Sequence, residues 1–182
     1  MRLQLHTTSI FVMAIAVALP ASARAGKSPH HSIVQTQFSA EDEGVKSPVT
    51  IPPEVMAILG EDDMVKEQMK NEKSRPAVLP QSWFSASKIR LAPTTADGLI
   101  VQATGPLVGG NVVVFWVFIQ SQNGWRLALM IPAHNLIVTQ TRFNRYRNLE
   151  ADAMTCCTIT TARFRFDGRE YRRYFSKTED IK

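Results

Sequence analysis

The sequence is poor in the residues that build disulfide frameworks and metal centres. Of its 182 residues only two are cysteines, adjacent at Cys156 and Cys157, and four are histidines. Two neighbouring cysteines exclude the disulfide scaffold typical of small secreted domains and the four-cysteine zinc site. From residue 81 on, His134 is the only histidine. The sequence therefore predicts no metal site and no cofactor.

Motifs of common enzyme classes are missing as well. No Gly-x-Ser-x-Gly segment marks a serine hydrolase. The glycines of residues 105–110 are not followed by Lys-Ser or Lys-Thr, which excludes a phosphate-binding loop there. Acidic residues in the second half, such as Glu150 and Asp152, lie near arginines, so we expect ion pairs. The sequence predicts a protein without catalytic activity.

Long apolar runs are also absent, and the longest, residues 10–19, is too short to cross a bilayer. Arg2 precedes it, and Pro20 and the small residues of 21–25 follow. This order is typical of a signal peptide over residues 1–25, cleaved after Ala25, although a buried N-terminal helix is the alternative. We therefore expect a periplasmic or secreted protein, with no transmembrane segment in the mature chain and no lipid anchor on a thiol.

Positive charge exceeds negative charge, and the two are unevenly distributed. The chain has 21 lysines and arginines against 16 acidic residues. Residues 26–80 hold six basic and nine acidic side chains, whereas residues 81–182 hold 13 and seven. For an exported protein this basic half favours an envelope protein or an anionic wall polymer as partner rather than nucleic acid. An ordinary solvated surface is the alternative.

The hydrophobic pattern predicts an α+β protein. Residues 26–50 are polar and interrupted by prolines, which indicates a flexible arm. Residues 53–73 begin with a proline and carry a short apolar face, which predicts a helical segment. Residues 82–175 show a period of two. We expect a single domain over residues 51–182, with a short N-terminal helical segment followed by an antiparallel β-meander of six or seven strands.

One apolar run and two turn dipeptides predict further details of the strands. The stretch Val112–Ile119 is apolar at every position, so we expect a central strand that is covered on both faces. Asn123-Gly124 predicts a tight hairpin, and Asp167-Gly168 predicts a second one. A two-residue turn at Asp167-Gly168 would place Phe164 opposite Tyr171 in the core.

The same hairpin predicts the candidate site. A two-residue turn would place Arg163 opposite Arg172, with Arg165 and Glu170 paired on the same face. Like charges directly opposite each other are unfavourable unless an anion lies between them. We therefore predict an anion or acidic-partner site at Arg163, Arg165 and Arg172. The alternative is that these long side chains extend separately into solvent.

We expect the two cysteines to lie on a strand, with their side chains on opposite faces of the sheet. Alternation would place Cys156 in the core and Cys157 beside Arg163 and Arg165, where its thiol would be reactive. In an oxidising compartment this arrangement permits a dimer linked through Cys157. Two structural cysteines are the alternative. His134 is the only candidate base for Cys157, and no spacing motif connects the two residues.

Part of the sequence resembles small exported bacterial proteins of unknown function with a β-rich domain that ends in Phe-Asp-Gly-x-x-Tyr. The resemblance covers residues 88–175 and implies a fold and a compartment but no activity. Those proteins often carry a cysteine before the Trp-Val-Phe strand, and this sequence has none there. The matching residues are Gly109-Gly110-Asn111, Phe115-Trp116-Val117-Phe118, Gly124-Trp125-Arg126-Leu127, Phe166-Asp167-Gly168 and Tyr171.

Together these observations predict an exported, non-catalytic binding protein that engages an envelope protein or an anionic wall component. A periplasmic inhibitor or immunity protein is one alternative. A small envelope enzyme that depends on Cys157 and His134 is another.

Overall fold

The computed structural model describes residues 35–73, 76–93 and 97–181. The predicted signal peptide, residues 1–25, and the first part of the predicted arm lie outside these ranges. Within them the chain forms nine strands and two α-helices. The elements are β1 (Gln37–Ser39), α1 (Pro53–Gly60), α2 (Asp63–Asn71), β2 (Phe84–Arg90), β3 (Asp97–Ala103), β4 (Val113–Ser121), β5 (Gly124–Ala133), β6 (Asn135–Phe143), β7 (Tyr146–Met154), β8 (Thr158–Phe166) and β9 (Tyr171–Asp180).

The strands form two antiparallel sheets. A four-stranded sheet has the order β2-β3-β4-β5, and a five-stranded sheet has the order β1-β6-β7-β8-β9. Because β2 to β5 and β6 to β9 each follow chain order, each group is a meander. The predicted α+β class and the antiparallel meander after the helices are confirmed. The described residues hold eight strands after the helices, more than the six or seven predicted.

The position of β4 explains how the layers are held together. As predicted from its unbroken apolar run, β4 lies between two strands and is buried on both faces. Phe115 and Val117 pack into the cluster between the two sheets, whereas Trp116 and Phe118 pack into the cluster beneath the helices. The four-stranded sheet is therefore the middle layer, between the helices and the five-stranded sheet.

The helical segment consists of two short helices whose apolar residues cover the middle layer. Val55 and Leu59 of α1 and Val65 of α2 are almost completely buried. Asp62 caps α2, because its Oδ1 accepts hydrogen bonds from the backbone N–H of Met64 and Val65. This matches the helix-start role that carboxylates commonly have.

Residues 35–50 differ from the predicted flexible arm. β1 pairs with β6, and Phe38 is buried in the cluster between the sheets. Val45 is also buried, and its backbone N–H donates to Ser85 Oγ. Isolated apolar residues among polar ones produce no period in the sequence, so neither the pairing of β1 with β6 nor the burial of Phe38 and Val45 could be predicted from it.

The hairpin between β4 and β5 forms one residue earlier than predicted. Ser121 pairs with Gly124, so the two-residue turn consists of Gln122 and Asn123. Gly124 has a φ of +98°, a conformation that glycine adopts without the steric cost of a side chain.

Candidate functional site

The candidate site lies on the face of the five-stranded sheet that points away from the middle layer. Along β8, Ala162, Phe164 and Phe166 are buried, whereas Arg163 and Arg165 alternate with them and are exposed. The side chain of Arg172 on β9 is exposed too. As predicted, the three arginine side chains therefore lie on the exposed face of the sheet, because successive side chains of a strand point to opposite faces.

The predicted two-residue turn at Asp167-Gly168 is wrong. The loop has four residues, Asp167 to Glu170, and Phe166 pairs with Tyr171. Asp167 Oδ1 accepts hydrogen bonds from the backbone N–H of Arg169 and of Glu170, both at 2.8 Å. An aspartate that binds the backbone two and three residues ahead makes a wider turn than the two-residue hairpin.

The wider loop changes which arginines face each other. Arg165 is the register partner of Arg172, whereas Arg163 is the partner of Phe175. The register shifts between Arg163 and Phe164, and Tyr174 is the additional residue on β9. A bulge of this kind brings one extra side chain to the face of an edge strand. The predicted opposition of Arg163 and Arg172 is therefore incorrect, although both belong to the same face.

Carboxylates neutralise two of the three arginines. Arg163 Nε lies 2.6 Å from Glu150 Oε2, and this hydrogen bond raises the pKa of Arg163. Arg172 contacts both Asp167, at 3.0 Å, and Glu170, at 2.6 Å, and its pKa is raised chiefly by the hydrogen bond to Asp167. The two backbone hydrogen bonds, with the contact to Arg172, lower the pKa of Asp167 to about 2.

Arg165 has a different environment, because aromatic rings rather than carboxylates surround it. Its guanidinium carbon lies 3.9 Å from the ring centre of Tyr174 and 5.1 Å from that of Phe143. No carboxylate among the described residues forms a salt bridge with it. A guanidinium stacked on rings keeps its N–H groups at its edge, where they can meet a carboxylate in a bidentate pair.

The exposed aromatic residues make this face unusual for a solvated sheet. Phe143, Tyr174 and Phe175 are 41%, 44% and 39% exposed. Arg163 lies over Phe175, with 5.1 Å between the guanidinium carbon and the ring centre. We call Phe143, Arg163, Arg165, Tyr174 and Phe175 the aromatic-arginine cluster. The sequence pattern predicted the arginines of this cluster but not its aromatic residues. The adjacent Tyr174 and Phe175 indicate in the sequence that at least one aromatic side chain is exposed, because neighbours on a regular strand cannot both face the core.

A cleft adjoins the cluster. It has a volume of about 240 Å³, and Thr139, Asn148, Glu150, Arg163 and Tyr174 contribute to its walls. Asn148 is only 4% exposed; its Nδ2 donates to Thr141 Oγ1, and its Oδ1 has no partner. This volume is sufficient for a single amino-acid side chain.

The end of the sheet next to the cluster is rich in arginine. Asn144 and Arg145 form the β6–β7 turn with positive φ angles, as hairpins prefer, and Asn144 Nδ2 donates to the carbonyl of Phe166. This contact places the β6–β7 turn beside the β8–β9 loop. The exposed arginines of the two connections and the adjoining strand ends are Arg142, Arg145, Arg169, Arg172 and Arg173.

The cysteines do not lie on a strand, as their sequence position had suggested. β8 begins at Thr158, so Cys156 and Cys157 belong to the turn before it, and both are exposed. The predictions of Cys156 in the core and of Cys157 beside the arginines on β8 are therefore wrong, because strand alternation does not extend into a turn. The two Sγ atoms lie 2.7 Å apart, and their hydrogen bond raises the pKa of Cys157.

His134 is buried, and its ring contacts residues other than Cys157. Its Nδ1 lies 2.7 Å from the carbonyl oxygen of Asn111, and its Nε2 lies 3.6 Å from Glu41 Oε1. The structure shows no hydrogen bond between His134 and Cys157, the pair on which the enzyme alternative depends.

In the described ranges no group of three or more His, Cys, Asp or Glu side chains is placed to hold a metal ion. No helix in the described part of the chain is long and apolar enough to cross a membrane. Comparison with protein-family models, curated proteins and solved structures gives no significant match. The resemblance to small exported bacterial proteins stays a prediction.

Proposed function

We propose that the protein is an exported, non-catalytic binding protein that docks an acidic protein surface on its aromatic-arginine cluster. The observation that carries this proposal is the environment of Arg165. Its guanidinium lies over the rings of Tyr174 and Phe143 and forms no salt bridge with a described carboxylate. An arginine fixed in this way has already lost part of its side-chain freedom, so binding a carboxylate costs less entropy than at a mobile arginine.

The composition of the cluster favours a protein partner over an anionic polymer. A polymer site needs several cations free to contact phosphate or carboxylate groups, but the cluster holds only two arginines, and one of them, Arg163, already contacts Glu150. Exposed tyrosine, phenylalanine and arginine are instead the residues enriched in protein interfaces and their hot spots. A periplasmic inhibitor or immunity protein would be one form of such a binding protein.

The arginine-rich end would act before contact. Arg142, Arg145, Arg169 and Arg173 are exposed beside the cluster. A local excess of positive charge accelerates the approach of an acidic partner and makes the association rate sensitive to salt. Arg165 would then contribute to the lifetime of the complex, because it lies over two aromatic rings and has no salt bridge with a described carboxylate.

The test compares variants with the same change in charge. Wild-type protein, Arg165→Gln and Arg169→Gln are immobilised and exposed to an envelope extract. We expect at least one protein to be retained by wild type and by Arg169→Gln but lost by Arg165→Gln. With that protein purified, Arg165→Gln should weaken binding by about 2 kcal/mol, roughly a 30-fold rise in Kd.

Arg169 is the matched control because it lies in the adjacent loop and is exposed. An equal loss in both variants would mean that net charge alone controls binding, and the role of the aromatic-arginine cluster would be refuted. Arg165→Lys adds a second comparison, since it keeps the charge but removes the planar fork of the guanidinium. We expect it to bind more weakly than wild type.

A further inference from the structure

The turn between β7 and β8 has a defined shape. The backbone N–H of Thr155 donates to the carbonyl of Thr158 at 2.9 Å, which closes a four-residue turn around Cys156 and Cys157. Thr155 Oγ1 also accepts hydrogen bonds from the N–H of Cys157 and of Thr158. The N–H of Ile181, just after β9, donates to the carbonyl of Cys157 at 2.7 Å. The two cysteines are therefore held at the central positions of an ordered turn.

We propose that Cys156 and Cys157 are a reversible redox site, in which a small-molecule disulfide oxidises the two thiols to an intramolecular disulfide within the turn. The geometry supports this because both side chains are exposed and the Sγ atoms are 2.7 Å apart. An external reagent can reach the sulfurs, and each sulfur already has the other as its nearest reaction partner.

The reaction proceeds in two exchange steps. One cysteine, as thiolate, attacks a sulfur of the small disulfide, forms a mixed disulfide and releases one small thiolate. The second cysteine, as thiolate, then attacks the protein sulfur of that mixed disulfide, closes the ring and releases the other small thiolate. Two protein thiols are oxidised, the small disulfide is reduced to two thiols, and the two protein protons are taken up by the leaving groups.

Contact between the sulfurs favours this ring over the dimer that the sequence permits. A second molecule must bring its Cys157 from solution, whereas the neighbouring thiol is already in place. Reacting groups that are held together behave as if one were present at a very high effective concentration. We therefore expect ring closure to precede dimer formation.

The same geometry makes the disulfide easy to reduce. Adjacent Cα atoms are about 3.8 Å apart across a trans peptide, whereas most disulfides join Cα atoms about 4.4–6.8 Å apart. A disulfide between neighbours is therefore strained, and strained, exposed disulfides are the labile ones. This property distinguishes a reversible site from a structural cross-link.

The experiment uses the reduced full chain and glutathione disulfide as the probe. The products are digested with trypsin, which releases residues 148–163 with both cysteines. We expect no disulfide-linked dimer to form and this peptide to become lighter by two hydrogen atoms, with full return to the dithiol on adding dithiothreitol. Cys156→Ser and Cys157→Ser should each stop at a glutathione mixed disulfide.

Three results would overturn the proposal. The wild-type peptide could keep both thiols, it could accumulate glutathione without closing the ring, or the chain could dimerise through Cys157. The wild-type protein alone distinguishes these products by mass, so the conclusion does not depend on the folding of either serine variant. Binding through Arg165 is measured separately, and neither result determines the other.

Discussion

Asp62 connects a helix to the middle sheet through two different oxygen atoms. Its Oδ1 accepts the backbone N–H of Met64 at 2.9 Å and of Val65 at 3.4 Å, which caps α2. Its Oδ2 accepts the indole N–H of Trp116 at 3.0 Å. Because Trp116 on β4 is only 1% exposed, water cannot easily replace this acceptor. We expect Asp62→Ala to remove both interactions at once.

The loss of the helix cap and the loss of the acceptor for the Trp116 N–H lower the free energy of unfolding by different amounts. Removing an aspartate cap costs about 1 kcal/mol. Leaving a buried donor without a partner costs a further ~1–3 kcal/mol. Asp62→Ala should therefore lower the free energy of unfolding by about 2–4 kcal/mol. At about 2–4 °C for each kcal/mol in a domain of this size, the fall in Tm should be clear in a thermal melt.

A double-mutant cycle separates the two terms. Trp116→Phe removes the indole N–H, so in that background Asp62→Ala should cost only the cap, about 1 kcal/mol. Urea unfolding followed by circular dichroism measures all four proteins without relying on tryptophan fluorescence. An equal cost of Asp62→Ala in both backgrounds would show that the hydrogen bond between Asp62 and Trp116 does not contribute to stability.

Two further predictions concern a glycine in β3 and an aspartate in the loop between β8 and β9. Gly98→Ala should lower the free energy of unfolding by about 1–3 kcal/mol. A Cβ at this position would lie 2.7 Å from Leu91 Cδ1 and 2.9 Å from Ile89 Cγ1. An unchanged Tm would show that these side chains can move aside. The pKa of Asp167 is lowered to about 2, so the ionised carboxylate should stabilise the fold above pH ~4, and this stabilisation should be lost as the pH falls to about 2. The reason is that protonation of Asp167 weakens its hydrogen bonds to the loop backbone and to Arg172. NMR titration of the Asp167 carboxyl group tests this, and an ordinary midpoint near pH 4 would contradict it.

Much of the fold could be predicted because it depends on local patterns. The unbroken apolar run of β4 predicted a strand with two buried faces, and the alternation along β8 predicted which residues are buried. β1 could not be predicted in this way. Its place depends on pairing with β6, almost 100 residues away, and on one buried side chain, Phe38.

The candidate site was predicted only in part, for a similar reason. The facing of Arg163 and Arg165 follows from the strand period, but their neighbours follow from the register. That register depends on the hydrogen bonds of Asp167 in the loop and on the bulge at Tyr174. Neither feature appears in a hydrophobic pattern. The Asp-Gly signal therefore predicted a hairpin correctly but gave the wrong pairs of residues.

The alternation along β8 has a consequence for how this protein can change over time. Residues 162, 164 and 166 maintain the fold, while residues 163 and 165 contact only the exposed face and its neighbours. Substitutions at the exposed positions leave the packing between the sheets intact, so their cost in stability should be small. One strand can thus change its exposed chemistry at every second position while the intervening positions stay under selection for folding.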